Sequence, residues 1–191
     1  MPIDLRGFAS AEECLHHVSG WLTDPHRTIE QVRAVMKMIN EQTKEHVDLV
    51  QNAMGIIRNR KGELLLLKRR KDARAFPDSF SFPGGKWEEG DLNLEETMMR
   101  EVIEETGLRV RVLSCSDMRY TTVPRRKRIF EVAVFRLTIH AEDLQKSIRL
   151  SDEHERYVWA RPHLILAEPA NYVLSGSIIQ ELIQEEAQIS V

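Results

Sequence analysis

The chain has 191 residues, which is enough for one ordinary domain with an additional segment. Hydrophobic residues make up 42% and charged residues 30%, a balance that supports a buried core and excludes a natively disordered chain. The formal net charge of −3 provides no field that would recruit nucleic acid or an anionic membrane, so neither is expected as a partner.

The N-terminus, the cysteines and the apolar runs predict a cytoplasmic protein. Asp4 stands where a signal peptide would be apolar, and no apolar run approaches the roughly 20 residues that a membrane helix needs. Cys14 and Cys115 are the two cysteines and belong to no metal-ligand pattern. We therefore expect two buried thiols in a reducing compartment.

Residues 1–46 are predicted to form a helical extension without a catalytic signature. Apolar residues recur at helical spacing before Asp24-Pro25, at Ala9, Leu15, Val18 and Leu22. A second set follows the predicted N-cap Thr28, at Ile29, Val32, Val35, Met36 and Ile39. We expect the extension to pack on the main domain or on a second subunit, so a homodimer is one expected assembly.

Residues 47–191 are predicted to form a domain of strands with a few helices. The strand-like runs cover residues 47–58, 63–70, 80–82, 108–120, 128–140 and 155–160, and a basic turn occupies 124–128. Helices are predicted at 94–106 and 176–187. Since these elements do not alternate regularly as βαβ units, they predict an α/β sandwich with a mixed sheet.

The helix at 94–106 has local signals at both ends and an acidic face. Asn93 is a suitable N-cap and Gly107 a suitable left-handed C-cap. One face, predicted to be buried, carries Met99, Val102, Ile103 and Thr106. The opposite face carries Glu101, Glu104 and Glu105.

The three glutamates on one face predict a metal site, with a solvated acidic surface as the alternative. Like charges at this spacing cost about 0.2–0.5 kcal/mol each. Carboxylates in the last turn of a helix are disfavoured by roughly 0.3–1 kcal/mol more. A divalent cation would reverse both penalties, and Mg²⁺ prefers carboxylate oxygens.

Two motifs resemble those of a known family. The segment from Gly85 to Asp91, GKWEEGD, is followed by residues 100–108, REVIEETGL. Together they resemble the Nudix box GX5EX7REUXEEXGU, in which U is apolar. The preceding FPGGK is also similar to the family. The resemblance implies a MutT-like Nudix hydrolase: an α/β/α sandwich with a mixed sheet, here with an N-terminal helical extension.

The resemblance also implies the activity and the roles of the box residues. Nudix hydrolases cleave a phosphoanhydride bond of a nucleoside diphosphate linked to another moiety, such as a nucleoside triphosphate, a dinucleoside polyphosphate or ADP-ribose. By position, Glu101, Glu104 and Glu105 are the expected ligands of Mg²⁺, or of Mn²⁺ as an alternative. Glu101 is also expected to activate water, Arg100 to orient the glutamates, and Gly84 and Gly85 to supply backbone contacts.

The loop half of the box departs from the family pattern. Asp91 replaces the first glutamate, and eight residues instead of seven separate it from Arg100. Since the helix start at Asn93 is intact, the extra residue is expected in the loop near Leu92. The helix ligands should therefore be retained, while Asp91 receives no assigned role.

Residues outside the box are candidates for the remaining parts of the site. The family recruits a further acid shortly before a tryptophan, for which Glu153 is the first choice and Glu155 the second. Arg69, Arg70 and Arg74 are placed to bind substrate phosphates, with an ordinary basic strand end as the alternative. Four aromatic residues could stack on a base or belong to the core: Phe82, Trp87, Tyr120 and Trp159.

Two other functions share the fold. A Nudix-fold module can bind or sense a nucleotide without cutting it, but such modules usually lose box glutamates, and all three helix glutamates are present. An isoprenoid diphosphate isomerase would call for a cysteine shortly before the box helix, and none occurs between Cys14 and Cys115. The sequence therefore predicts a Nudix pyrophosphohydrolase, acting on acid anhydrides in phosphorus-containing compounds.

Overall fold

A computed structural model describes residues 3–116, 118–143 and 147–189. Its helices are α1 Ala11–Leu22, α2 Ile29–Thr43, α3 Leu94–Thr106, α4 Pro162–Ala167 and α5 Ser177–Ile189. Its strands are β1 Asp48–Ile57, β2 Leu64–Arg69, β3 Phe80–Ser81, β4 Gly84–Lys86, β5 Val110–Cys115, β6 Arg119–Val123, β7 Arg128–Ile139 and β8 His154–Ala160. Short 3-10 turns occupy Pro124–Arg126 and Ala141–Asp143.

The chain divides into two compact units. The first consists of Met1–Asn52 and Asp117–Ala133, and the second of Ala53–Ser116 and Val134–Val191. The box residues and the candidate residues of β2 and β8 all belong to the second unit.

The first unit is built on the two N-terminal helices. Each begins at a capping box, formed by Ser10 with Glu13 in α1 and by Thr28 with Gln31 in α2. Their apolar faces share one buried cluster: Leu5, Ala11, Cys14, Leu15, Val18, Leu22, Val32, Val35, Ile39, Val47, Tyr120 and Ile129. The predicted apolar faces are therefore largely confirmed, although Ala9 lies before α1 and is exposed.

Strand pairing in the second unit places the ends of β2 and β8 together. The three-stranded sheet has the order β3-β2-β8, and both pairs are antiparallel. The other sheet has the order β4-β1-β7-β5, with β6 also paired to β7. Leu65 pairs with Trp159, and Arg69 pairs with His154 after a register shift. The register thus brings Arg69 beside the segment that carries Glu153.

The sequence predicted most elements, but it joined two strands into one and missed two short elements. The run 108–120 is two strands, because β5 pairs with residues 135–139 of β7 whereas β6 pairs with residues 128–132. The short elements β4 and α4 were not predicted. The predicted fold class, α/β with a mixed sheet and N-terminal helices, is confirmed.

The cysteines differ from the prediction of two buried thiols. Cys14 is buried in the first unit, whereas Cys115 is exposed at the end of the edge strand β5. Both are free. Among the described residues, no helix is long and apolar enough to cross a membrane.

Candidate active site

The helix α3 begins and ends where its sequence predicts. The side chain of Asn93 accepts a hydrogen bond from the N–H of Glu96, and Gly107 ends the helix in the left-handed conformation at φ 70°. The predicted faces need correction, however. Glu105 is buried at 6% relative exposure, while Ile103 is 47% exposed. The glutamates therefore do not share one solvated face, because Glu105 points into the second unit.

The two glycines before the helix form a close contact with two of its glutamates. The N–H of Gly84 donates to Oε2 of Glu105 at 2.8 Å. A Cβ on Gly85 would overlap the carboxyl group of Glu101, and one on Gly84 would overlap the backbone of Ala53. Gly84 also has a φ of 147°, which side-chain-bearing residues rarely adopt. Glycine is therefore required here for the carboxyl groups to approach the loop.

Arg100 joins the loop to two glutamates of the helix. Its Nη1 donates to Oε1 of Glu101 at 3.1 Å and to Oε2 of Glu104 at 3.2 Å. Its Nη2 also donates to the carbonyl of Lys86 at 3.1 Å. The guanidinium therefore holds both carboxyl groups on the side of the helix that faces the loop, as an orienting residue should.

Asp91, to which the sequence assigned no role, is the principal partner of Arg100. Both of its oxygens accept from that guanidinium, and Oδ2 also accepts from the hydroxyl of Thr97 and the N–H of Glu88. The hydrogen bonds from Arg100 hold the pKa of Asp91 well below its usual range. The extra residue near Leu92 does not disturb this pairing, because Leu92 is 83% exposed and precedes the N-cap.

Burial opposes negative charge on the two inner glutamates. Desolvation raises the pKa of Glu105 to about 8, although the hydrogen bond from Gly84 acts in the opposite direction. Burial also raises the pKa of Glu101, against the lowering effect of Arg100. Both carboxyl groups are therefore placed where a cation would stabilise their charged forms.

Glu153 and His154 bring a second strand to the same carboxyl groups. Oε2 of Glu153 lies 3.0 Å from Nη2 of Arg69. Nε2 of the buried His154 lies 3.6 Å from Oε1 of Glu105. Burial lowers the pKa of His154 to about 4, so at neutral pH this contact is not an ion pair. The sequence did not predict that His154 lies beside Glu105, because His154 does not stand at the spacing of a ligand motif.

The geometry distinguishes between the two candidate acids and among the three arginines. Glu155 is paired with Lys68 at 3.0 Å, whereas Glu153 contacts only Arg69 among described side chains.

Arg69 has a buried Nε without a hydrogen-bond partner in the described chain. The side chain of Arg70 donates instead to Asp72, at 2.8 and 3.0 Å. Arg74 makes no described contact with the site.

The donor set fits a hard divalent cation. Four carboxyl groups, of Glu101, Glu104, Glu105 and Glu153, and the backbone of the glycine pair supply oxygen donors, and the site contains no thiol. Because Gly85 has no Cβ, the carboxyl group of Glu101 lies directly against the loop backbone. Within the described ranges, no three acidic, histidine or cysteine side chains already stand in ligand geometry.

An α/β fold with a glycine loop, an acidic helix and an arginine clamp defines the class of Nudix-type hydrolases. The NUDIX domain family matches residues 48–182 of this chain. The chain belongs to the Nudix family and is a Nudix pyrophosphohydrolase. The resemblance that the sequence motifs carried is thereby confirmed.

Curated and solved relatives agree with this assignment. Nucleoside triphosphatase NudI of Escherichia coli O17:K52:H18 (strain UMN026 / ExPEC) is 26% identical over 106 residues, which cover 53% of this chain and 74% of that protein.

Two solved structures show the same fold. The MutT protein from Methanosarcina mazei Go1 has a TM-score of 0.61 and 24% identity, covering 76% of this chain and 98% of the other. A C. elegans Ap4A hydrolase has a TM-score of 0.56 and 18% identity, covering 73% of this chain and 96% of the other.

Proposed function

We propose that this pyrophosphohydrolase is Mg²⁺-dependent and cleaves a phosphoanhydride bond of a nucleoside diphosphate linked to another moiety. The observation that carries the proposal is the placement of Glu101 and Glu105 against Gly84 and Gly85. The two desolvated carboxyl groups lie against the glycine pair, where a side chain would not fit. In the described chain, no cationic side chain contacts Glu105. A carboxyl group so placed is suited to bind a cation.

We assign the metal to Glu101, Glu104, Glu105 and Glu153, with Gly84 and Gly85 supplying backbone contacts. When bound, Mg²⁺ would neutralise the non-bridging phosphate oxygens and lower the pKa of water. Mn²⁺, which also accepts oxygen ligands, is the expected substitute.

Each remaining residue has a part in the reaction. Glu101 accepts the proton of the attacking water, a new P–O bond forms, and the bridging P–O bond breaks to release two phosphate-bearing products. Arg100 holds Glu101 and Glu104 in position through the contacts described above. Arg69 contributes positive charge beside Glu153, and Arg70 and Arg74 are the further candidates for substrate phosphates.

The substrate class includes nucleoside triphosphates, dinucleoside polyphosphates and ADP-ribose. The names of the relatives, a nucleoside triphosphatase and an Ap4A hydrolase, place the first two groups at the head of a screen. The relatives named above share 18% to 26% identity with this chain, so the screen includes all three substrate groups.

A product-release screen tests the proposal. The full chain is assayed with each substrate group in the presence of Mg²⁺, Mn²⁺ or EDTA, and the products are separated by chromatography. We expect turnover with a metal and its loss with EDTA. Turnover that is insensitive to EDTA would contradict the metal assignment. Nucleotide binding without turnover of any substrate would favour the non-catalytic nucleotide-binding module.

Location and assembly belong to the same proposal. The reducing, cytoplasmic compartment that the sequence predicts is part of this proposal, and neither cysteine forms a disulfide within the described residues. A homodimer through the N-terminal helices also remains a prediction. Size-exclusion chromatography with light scattering measures the mass of the protein in solution and so distinguishes a monomer from a dimer.

A further inference from the structure

A cavity of about 790 Å³ in the second unit contains none of the proposed catalytic or metal-binding residues. Its walls come from the turn at residues 58–61, the paired ends of β5 and β7, and strand β8. Its volume falls within the range of about 300–1,000 Å³ that is usual for small-molecule sites. The cavity is therefore large enough for a ligand of nucleotide size.

The cavity is separate from the acidic site. Trp159, in its wall, pairs with Leu65, whereas His154 pairs with Arg69 four residues further along β2. At about 3.3 Å per residue, the two places are roughly 13 Å apart along the strand. Between the cavity residue Ile148 and the site residue Glu153, the chain is bonded to the end of α3, since the N–H of Arg149 donates to Thr106 and that of Ser151 to Glu105.

The charge of the cavity wall favours an anion. Arg60, Lys61 and Arg111 line it, and in the described part of the chain none of these side chains has an acidic partner. The acidic residue of the wall, Asp143, is already bonded to Arg109 at 3.0 Å. The wall therefore carries cationic groups that are free to bind a ligand, while its carboxylate is neutralised.

Two aromatic residues of the wall favour a ligand with a flat ring. Tyr157 and Trp159 occupy alternate positions of β8, so both side chains leave the same face of the strand. Tyr157 is 39% exposed, which is high for a large aromatic side chain of a strand. Nucleic-acid bases stack on such side chains, a contact worth about 1–3 kcal/mol per base.

We propose that this cavity is a second ligand site, which binds a nucleoside monophosphate. The base stacks on Trp159 or Tyr157, and the phosphate is bound by Arg60, Lys61 and Arg111. The binding needs neither the metal nor turnover, so the proposal stands independently of the proposed reaction.

Calorimetric titration of the metal-free protein with AMP tests the site. EDTA in all solutions and the variant Glu104→Gln keep the acidic site from contributing. We expect saturable binding of AMP, about tenfold weaker binding in Arg60→Gln/Arg111→Gln, and no change in Arg125→Gln/Arg126→Gln. The second pair is the matched control, because it removes two exposed arginines from a turn of the other unit.

A second comparison separates stacking from simple attraction of anions. Trp159→Leu should weaken AMP binding, whereas Trp87→Leu, which removes an exposed tryptophan of the box loop, should not. Circular dichroism checks that each variant folds. If Trp159→Leu does not fold, the comparison of Arg60→Gln/Arg111→Gln with its control still tests the proposal. Inorganic phosphate and ribose 5-phosphate should bind more weakly than AMP.

Four results would overturn the proposal. These are the absence of AMP binding, equal losses in the two arginine pairs, equal affinity for AMP and inorganic phosphate, and binding of a single-stranded hexa-adenylate without binding of AMP. Loss of turnover in the substrate screen would leave these measurements unaffected, so failure of the proposed reaction and failure of the second site are distinguishable.

Discussion

Arg100 donates to both carboxylate oxygens of Asp91, from Nε to Oδ1 at 3.1 Å and from Nη2 to Oδ2 at 3.0 Å. The same guanidinium uses Nη1 to contact Glu101 and Glu104. Asp91 therefore fixes the plane of the arginine, and the arginine in turn positions two of the proposed metal ligands. The shorter acid and the additional residue in the loop preserve this bidentate geometry.

Asp91→Asn tests that positioning role. Asparagine has one acceptor oxygen where the carboxylate has two, and its NH2 group would face a donor of Arg100. We therefore expect kcat to fall about 10- to 100-fold, the usual effect of residues that orient metal ligands. The Mg²⁺ concentration for half-maximal activity should rise as well. Asp4→Asn breaks a comparable bidentate pair with Arg6, which is exposed and lies outside the proposed site, and serves as the control. Equal activity of the two variants would contradict the role.

The Asp91–Arg100 pair should make the free energy of unfolding depend on pH in the acidic range. Hydrogen bonds from Arg100 lower the pKa of folded Asp91, so its stabilising effect is complete above the unfolded pKa of about 3.9. This stabilisation is lost as the pH falls towards the lower pKa that Asp91 has in the folded state. We expect Asp91→Asn to be less stable than the parent at neutral pH, with a gap that narrows below about pH 4. Urea unfolding at a series of pH values measures the gap, and a constant gap would contradict the linkage.

Gly85→Ala should affect turnover more than folding. The added Cβ would meet the carboxyl group of Glu101, the flexible end of a side chain, and would displace it from the loop. A displacement of about 1 Å in a catalytic group can lower the rate about 100-fold. Steady-state kinetics and thermal unfolding together check the prediction. Gly20→Ala, where a Cβ meets nothing within 4 Å, should leave turnover unchanged.

Glu104→Gln should remove metal-dependent turnover and leave the fold intact. Glu104 is exposed, and among the described residues its carboxyl group contacts only Arg100. We expect kcat to fall by about 100-fold or more and Mg²⁺ to raise the unfolding temperature less than in the parent. Glu95→Gln removes an exposed carboxylate from the first turn of the same helix and is the matched control. Unchanged turnover in Glu104→Gln would contradict the site.

The N-terminal helices share their core with residues outside the predicted extension. Val47, Tyr120 and Ile129 belong to the same buried cluster as the apolar faces of α1 and α2. Local periodicity predicted the two helices and their caps, because helical spacing and capping are properties of short segments. It could not predict Tyr120 and Ile129 as their packing partners, because these residues lie about eighty positions further along the chain.

The acidic helix α3 shows the same difference between what the local sequence predicts and what long-range packing decides. Asn93, Gly107 and the REVIEETGL motif predicted its ends and its family, since caps and motifs need only neighbouring residues. The prediction that Ile103 faces the core and that Glu105 lies on the opposite face of the helix was wrong. A helix wheel assumes one packed face, whereas α3 also places a glutamate against the glycine loop.

The sequence by itself therefore determined the family, the fold class and the helix that carries the glutamates. Tertiary structure decided which atoms meet: Asp91 with Arg100, Gly84 with Glu105, and Arg69 with Glu153. The pairing of β2 with β8 and the packing of the loop against α3 create these contacts between residues 9 to 84 positions apart. No local pattern encodes such contacts, because they depend on the register and burial that only the folded chain fixes.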